Sequence, residues 1–213
     1  RVSMGEFERV SLGAKFPILN IKYAYGIPNL FKSDYEYNKL QMSVTHWFNV
    51  FNIGWSRFRV EGGRIWGTLP YPLLKLHEGN ETYFFDEAAF NMMNYYEFVS
   101  DKYLSVFYTH HFGGYLFNRV PFFRKLKWRE VAFVTGLVGG LDNANISYND
   151  KHQEGELYPL DKPYFEAGAG IENIFKILRV DAVWRLSYLD HPDITPFGIR
   201  VSLQFSFWHL LFV

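Results

Sequence analysis

Ile199-Arg-Val-Ser-Leu-Gln-Phe-Ser-Phe207 reads as a β-strand with two unlike faces. Ile199, Val201, Leu203, Phe205 and Phe207 fall on one side, and Arg200, Ser202, Gln204 and Ser206 on the other. Successive strand side chains point to opposite faces, so strict alternation marks a sheet with one apolar and one polar side. The segment before it repeats the pattern, with Val180, Ala182, Trp184, Leu186 and Tyr188 against Asp181, Arg185 and Ser187. Earlier still, Phe165, Ala167, Ala169 and Ile171 oppose Glu166, Gly168, Gly170 and Glu172.

The same period recurs toward the N-terminus. Val131, Phe133 and Leu137 alternate with Glu130 and small residues, and Leu104, Val106, Tyr108 and His110 with Ser105, Thr109 and His111. Phe58 and Val60 sit among Arg57, Arg59 and Glu61. Leu40, Met42 and Val44 alternate with Gln41, Ser43 and Thr45, and Leu19, Ile21, Tyr23 and Tyr25 with Asn20 and Lys22. A weaker first segment has Val10, Leu12 and Ala14 against Arg9 and Ser11. That makes about nine strands of roughly 7–12 residues, the length a tilted membrane-crossing strand needs.

The links between them alternate in length. Lys15–Pro17, Phe51–Gly54, Asn173–Arg179 and the middling Gly113–Lys127 fall at one end of the sheet. Gly26–Tyr37, Gly67–Asp101, Gly140–Pro163 and Asp190–Pro196 fall at the other. Short turns on one side and long loops on the other is the arrangement of outer-membrane barrels. Residues 86–100 depart from the strand pattern. Asp86 suits an N-cap, Glu87 a first helical turn, and Phe90, Met93 and Glu97 one helical face, which predicts a short helix inside the long loop.

Composition agrees with such a fold and excludes others. The chain has 213 residues, 48% of them hydrophobic and 20% aromatic, so it is not a disordered polar tail. Lys+Arg and Asp+Glu are both 22, which removes a global electrostatic case for nucleic acid. With no cysteine there is no disulfide framework and no thiolate metal site. No apolar run is long enough for a membrane helix, whereas alternating strands give the mild mean hydropathy of −0.14. Rings at strand ends, among them Tyr23, Tyr25, Trp47, Phe48, Trp55, Trp66, Trp128, Phe207 and Trp208, suit the aromatic girdles of a membrane barrel. A soluble β-barrel around an apolar ligand is the competing use of the same pattern.

The polar phase places Lys22, Arg57, Arg59, Glu61, Glu130, Glu166, Glu172, Asp181, Arg185 and Arg200 on the inside. Both signs occur on neighbouring strands, so mutual pairing within the wall explains them better than a charge-selective lumen. His110 and His111 are adjacent in a strand and point to opposite faces, so they cannot share a metal. Asp190-His191-Pro192-Asp193 reads as a turn, with metal ligation the lesser alternative. There is no Gly-x-Ser-x-Gly, no His-Glu-x-x-His, no P-loop and no dinucleotide fingerprint. Arg124, Lys125, Lys127 and Arg129 cluster around Trp128, as a solvated turn or as a contact for acidic headgroups.

Several strings taken together resemble one family. They are Tyr25-Gly-Ile-Pro-Asn-Leu-Phe31, Pro70-Tyr-Pro-Leu-Leu74, Asn94-Tyr-Tyr-Glu-Phe-Val-Ser-Asp101, His110-His-Phe112 and Asn118-Arg119. Leu126-Lys-Trp-Arg-Glu130, Gly170-Ile-Glu-Asn-Ile174 and Val180-Asp-Ala-Val-Trp-Arg-Leu186 complete the set. The set resembles the C-terminal barrel of uncharacterised Gram-negative outer-membrane proteins that carry an N-terminal carboxypeptidase-regulatory-like domain. It is distantly similar to surface-antigen barrels of the BamA type, although the Val-Arg-Gly-Phe lumen motif of those barrels is absent.

The resemblance implies a location in the cell outer membrane and a role in outer-membrane biogenesis, protein assembly or transport, without catalysis or cofactor. A barrel-embedded hydrolase is the alternative. The implied partners are outer-membrane lipid and lipopolysaccharide, other outer-membrane proteins, and the remainder of the same chain. Residues 1–213 are expected to form a single domain, the C-terminal part of a larger barrel, because nine strands would leave two edges unpaired. Ile199, Val201, Leu203, Val180, Trp184, Phe165 and Val106 are expected to face lipid, and Arg200, Gln204, Arg185 and Glu166 the interior. The loops Gly67–Asp101 and Gly140–Pro163 are expected outside the cell, the first capping or entering the lumen. The tail Trp208–Val213 breaks the alternation and has no reading.

Overall fold

Alternating segments joined by short turns pair with their neighbours in sequence, and the chain follows that rule almost throughout. The computed structural model describes residues 2–4, 9–11, 16–29, 33–150 and 158–204. In chain order the strands are β1 (Val2–Met4), β2 (Arg9–Ser11), β3 (Ile18–Gly26), β4 (Tyr37–Asn49), β5 (Trp55–Trp66), β6 (Lys75–Leu76) and β7 (Phe98–Ser100). They continue with β8 (Lys102–His111), β9 (Arg129–Gly140), β10 (Tyr158–Pro159), β11 (Tyr164–Ile174), β12 (Leu178–Arg185) and β13 (Phe197–Leu203). Among the described residues two α-helices are interspersed, α1 (Pro121–Leu126) and α2 (Asn143–Asp150), with single 3-10 turns at Phe51–Ile53, Tyr71–Leu73 and Phe117–Arg119. None of the described helices is long and apolar enough to cross a membrane, which leaves open a crossing by strands.

The all-β expectation holds. Eight strands form one antiparallel sheet in the order β13-β12-β11-β9-β8-β5-β4-β3. They correspond to eight of the nine expected segments. The first expected segment departs: Arg9–Ser11 pairs with Val2–Met4 and not with the main sheet. Leu12 and Ala14 of that segment lie outside the described residues, as do Phe205, Phe207 and the tail from Trp208. The sheet is open, with β3 and β13 at its edges. The expected alternation of links is present. β4–β5 and β11–β12 turn tightly at one end, while 67–101 and 141–163 are the long links at the other. Gly54, at φ +109°, makes the first of those tight turns, and a Cβ there would strike the His111 carbonyl.

The two sheet faces differ as the alternation requires. Loop 67–101 folds onto one of them, the covered face. Phe90, Met93 and Phe98 of the loop pack with Tyr103, Phe107, Leu137 and Tyr164 of β8, β9 and β11. The opposite, bare face carries Leu19, Ile21, Met42, Leu104, Val106, Val134, Phe165, Trp184, Ile199 and Leu203, all exposed. Arg185 and Glu166 lie on the covered face and are buried, at 2% and 0% exposure.

Three expectations fail in detail. In β9 the phase is reversed. Val131, Phe133 and Leu137 lie on the covered face at 5% exposure or less, while Val134 and Val138 are exposed on the other. Glu130 therefore belongs to the bare-face phase and not to the interior, its carboxylate accepting the Phe117 backbone N–H. Both sets of alternate residues in β9 are apolar, so alternation by itself does not choose between the faces. Trp47 and Trp55 are likewise on the covered-face phase, not in an outer girdle. Trp47 is paired in register with Arg57, and Trp55 stacks on His111 at 3.9 Å.

Residues 86–100 contain no helix. Asp86 and Asn91 capture the backbone locally. The Ala88 N–H donates to Asp86 Oδ1, and Asn91 bonds the Asp86 N–H and the Asp86 and Ala89 carbonyls. Helix forms instead at α2, in the next long loop. Its Asn145 and Asn149, one turn apart, hold the 69–71 backbone through the Leu69 and Tyr71 N–H groups at 2.8 and 2.9 Å.

Candidate functional site

Three strand charges converge on one loop dipeptide. Glu166 of β11 accepts the N–H groups of Asn91 and Met92 at 2.9 and 2.8 Å. Arg200 of β13 donates to the Asn91 carbonyl at 2.7 Å, and Arg185 of β12 to the Met92 carbonyl at 3.2 Å. All four backbone groups of Asn91-Met92 are thus satisfied by side chains from neighbouring strands, which is what a loop without internal ladders needs when buried. The alternation of β11, β12 and β13 sets this up. Glu166 and Arg185 are cross-strand partners, and Arg200 pairs in register with Asp181.

Arg185 also makes a two-pronged pair with Glu97 of the loop, at 2.6 and 2.9 Å. Its remaining bonds hold the Ser187 and Tyr188 carbonyls at 3.0 Å. These contacts turn the chain out of β12, so Leu186 and Tyr188 do not continue the strand as the alternation suggested; Tyr188 has a φ of +52°. Glu97 accepts His191 Nδ1 at 3.1 Å, so Asp190-His191-Pro192-Asp193 is a turn that leans on loop 67–101. Among the described residues no group of His, Cys, Asp and Glu side chains is arranged to hold a metal ion.

Toward the short-link end, Arg179 and Asp181 of β12 pair at 2.8 Å with both side chains fully buried. Phe85 of the loop lies over the Arg179 guanidinium at 4.5 Å. A Cβ at Gly170 would meet Asp181 Oδ1 at 2.2 Å, so this pair fits only where the facing strand has no side chain. Beside it Glu172 bonds His111 Nδ1 at 2.8 Å. His110 points the other way, to Ser56 Oγ at 2.7 Å, so the two histidines do separate to opposite faces. The loop reaches the edge of the sheet as well. Phe85 N–H donates to the Val201 carbonyl and Val201 N–H to the Tyr83 carbonyl, both at 2.8 Å, so residues 83–85 run parallel along β13.

The other half of the covered face, on β3, β4 and β5, is not filled by the loop. It forms a groove of about 550 Å³ whose lining includes Lys22, Gln41, Trp47, Arg57, Arg59 and Glu61. Lys22 is exposed at the edge strand. Arg57 pairs with Glu87 of the loop and lies over Trp47 at 5.4 Å. Glu61, 5% exposed, marks the border with loop 67–101. It accepts Arg59 at 2.5 Å, Gln41 at 2.7 Å and the Tyr103 hydroxyl at 3.0 Å. Next to it His77 is buried and bonded to Ser100 Oγ at 3.0 Å. Burial, with Lys75 nearby, pushes its pKa down to about 3, so the imidazole is neutral.

Of the expected interior charges, Glu166, Arg185 and Arg200 meet at the loop dipeptide Asn91-Met92. Asp181 and Glu172 lie beyond it, Lys22, Arg57, Arg59 and Glu61 line the groove, and Glu130 is elsewhere. Charge pairing is the rule, but seldom between neighbouring strands. The partners are loop residues, residues two apart on one strand, as in Arg59–Glu61 and Arg179–Asp181, or, for Glu172, His111 on the non-adjacent β8. Glu97, Asn91, Arg179 and His77 were missed. Arg179 had a legible signal, since it stands two residues before Asp181 in the same phase. Glu97 and Asn91 had none, because nothing in a loop's spacing says where it docks.

No curated protein and no solved structure matches the chain. A family model does, described as the C-terminal domain of a family of unknown function (DUF5686), over residues 3–145, more than half of the sequence. The chain belongs to that family.

Proposed function

We propose that the eight-stranded sheet is part of a transmembrane barrel in a bacterial outer membrane. Its bare face meets lipid, and loop 67–101 is an internal plug. The observation that carries this reading is the polarity of the sheet: charged groups are buried on the covered face, while Leu19, Ile21, Val106, Trp184, Ile199 and Leu203 stay exposed on the other. A soluble barrel places its apolar residues inside, and a membrane barrel outside. Exposed rings at the strand ends fit a headgroup girdle: Tyr23, Tyr25, Trp66, Phe165, Trp184 and Phe197 at the long-loop end, Phe48 at the other. On this reading the open edge at β3 continues into further strands of the same barrel, because open edges are costly in hydrocarbon, whereas the β13 edge is taken at Val201 by residues 83–85 of the loop.

The role is structural and transport-related, in outer-membrane biogenesis, protein assembly or passage of a cargo, with lipid, lipopolysaccharide and other outer-membrane proteins as partners. The serines near histidine support a role without catalysis. Ser56 and Ser100 are both 0% exposed, and the second nitrogen of His110 is occupied by the Ile53 carbonyl. A dye at Val106→Cys in the protein reconstituted in vesicles tests the reading, as the chain has no cysteine of its own. Quenching by lipids brominated along the acyl chain is expected, and its absence would overturn the proposal. A bulky maleimide should label Leu189→Cys on intact cells, since the long loops face outward.

A further inference from the structure

We infer that the β8–β9 link, residues 113–128, is a foot that rests in the headgroup layer and binds the phosphates of anionic lipids; this rests on the barrel reading above. Its charge is one-sided. From Phe112 to Arg129 the chain has Arg119, Arg124, Lys125, Lys127 and Arg129 and no aspartate or glutamate.

The foot lies against the bare face of the sheet rather than projecting from its end. Glu130 belongs to the bare-face phase yet is only 8% exposed, because the Phe117 backbone closes over it and donates to its carboxylate. His110, in the same phase and also 8% exposed, is met edge-on by the Phe112 ring at 4.4 Å. This places the link beside the lower rim of the apolar band.

Its own packing leaves an amphipathic surface. Phe123 stacks on Phe117 at 4.6 Å and on Trp128 at 5.8 Å, which pins α1 down. Phe122 and Leu126, one helical turn apart, remain 63% and 41% exposed, with Arg124 and Lys125 between them. Apolar side chains interleaved with cations and continuous with a lipid-facing band are the chemistry of a segment lying at the bilayer surface. An acidic protein would answer the cations but not the exposed Phe122 and Leu126.

The test uses the full-length protein in phosphatidylethanolamine vesicles containing phosphatidylglycerol, with a dye at Leu126→Cys and, separately, at Val106→Cys. The Leu126 probe should be quenched about two-fold more by headgroup-nitroxide phosphatidylglycerol than by the phosphatidylcholine analogue. The triple variant R124Q/K125Q/K127Q should bring that ratio to about one while the Val106 probe stays in the acyl chains. Equal quenching by the two lipids in the unsubstituted chain overturns the inference. So does a Leu126 probe that aqueous iodide reaches, or one shielded from iodide yet quenched by neither lipid, which would mean that protein covers the foot. In each of these cases a buried Val106 probe leaves the barrel intact, whereas a Val106 probe outside the lipid overturns the barrel and the foot with it.

Discussion

The two halves of the covered face use the same residue types for opposite ends. On β11, β12 and β13, Glu166, Asp181 and Arg185 are at most 2% exposed, and every one is engaged by loop backbone, a loop carboxylate or a same-strand partner. On β3, β4 and β5, Lys22 and Arg57 border an open groove, and the side chain of Arg57 keeps 29% of its exposure. Alternation decides which way a strand residue points, but the docking of loop 67–101 decides whether it is buried. A charge beneath the plug is a fixed strut, while a charge in the groove remains available to water and to whatever enters.

The largest effect should follow from cutting a strut. Arg185→Ala leaves Glu97 buried without its two-pronged partner and the Met92 carbonyl unbonded. Breaking a buried pair from one side costs about 3–5 kcal/mol. Hydrogen exchange at the amides of 91–92 should speed up far more than exchange in the β4–β5 strands. The paired replacement Arg185→Met with Glu97→Gln should recover part of the loss, because Glu97 is then no longer a buried charge without its partner. Equal exchange in both halves after Arg185→Ala would erase the proposed division.

The bare face gives the next effect. Val106 sits near the middle of β8, opposite Val60 and Gly136, and is 38% exposed. In a bilayer Val106→Lys should destabilise the folded protein by about 2–4 kcal/mol, whereas the same exposed site in water would tolerate lysine at almost no cost. Urea unfolding in lipid vesicles separates the two outcomes.

How much of this could be read in advance differs by region. β11, β12 and β13 were legible because one phase is apolar and the other charged, so Glu166, Arg185 and Arg200 fall inside without knowledge of the partner. β9 was not, since Val131–Leu137 and Ala132–Val138 offer two apolar stripes and only the plug selects one. The plug itself was legible in outline, because a loop so rich in Phe, Met and Tyr has to bury them. Its conformation was not, because Asn145 and Asn149 reach the distant 69–71 backbone, while Asn80 and Asn91 bond each other and carbonyls of their own loop in place of a regular ladder. α2 is a helix whose buried residues are asparagines, which a search for an apolar helical face passes over.

Acid should open the plugged half before the groove half. His77 is 3% exposed and neutral, with its pKa lowered to about 3 from an ordinary 6.5. Below pH 6.5 the unfolded or opened state takes up a proton that the closed state refuses, so stability falls as pH drops from 6.5 toward 3. By pH 4.5 the loss is about 2–3 kcal/mol. Protection factors at residues 75–100, taken relative to the intrinsic exchange rate at each pH, should therefore fall between pH 7 and 4.5. His77→Asn, which keeps a polar group near Ser100 but cannot titrate there, should flatten that dependence. An unchanged slope in the variant would show that another group controls the loop.

The smallest stability change is expected in the groove, where it also carries the most information about function. Arg57 and Glu87 are both partly exposed, and such pairs contribute about 0–1 kcal/mol. Arg57→Gln should leave unfolding within that range and exchange at 91–92 unchanged, because the Glu166–Arg185–Arg200 anchor does not involve it. It does remove one of the cations that face the open space, beside Lys22 and Arg59. If the groove is part of a path, conductance or cargo flux through the reconstituted full-length protein should change with Arg57→Gln, and more steeply at low salt, where screening is weak. A variant with unaltered stability and unaltered flux would show that Arg57 serves neither the loop nor a path, whereas a loss of stability like that of Arg185→Ala would make the groove charges struts and erase the contrast between the two halves.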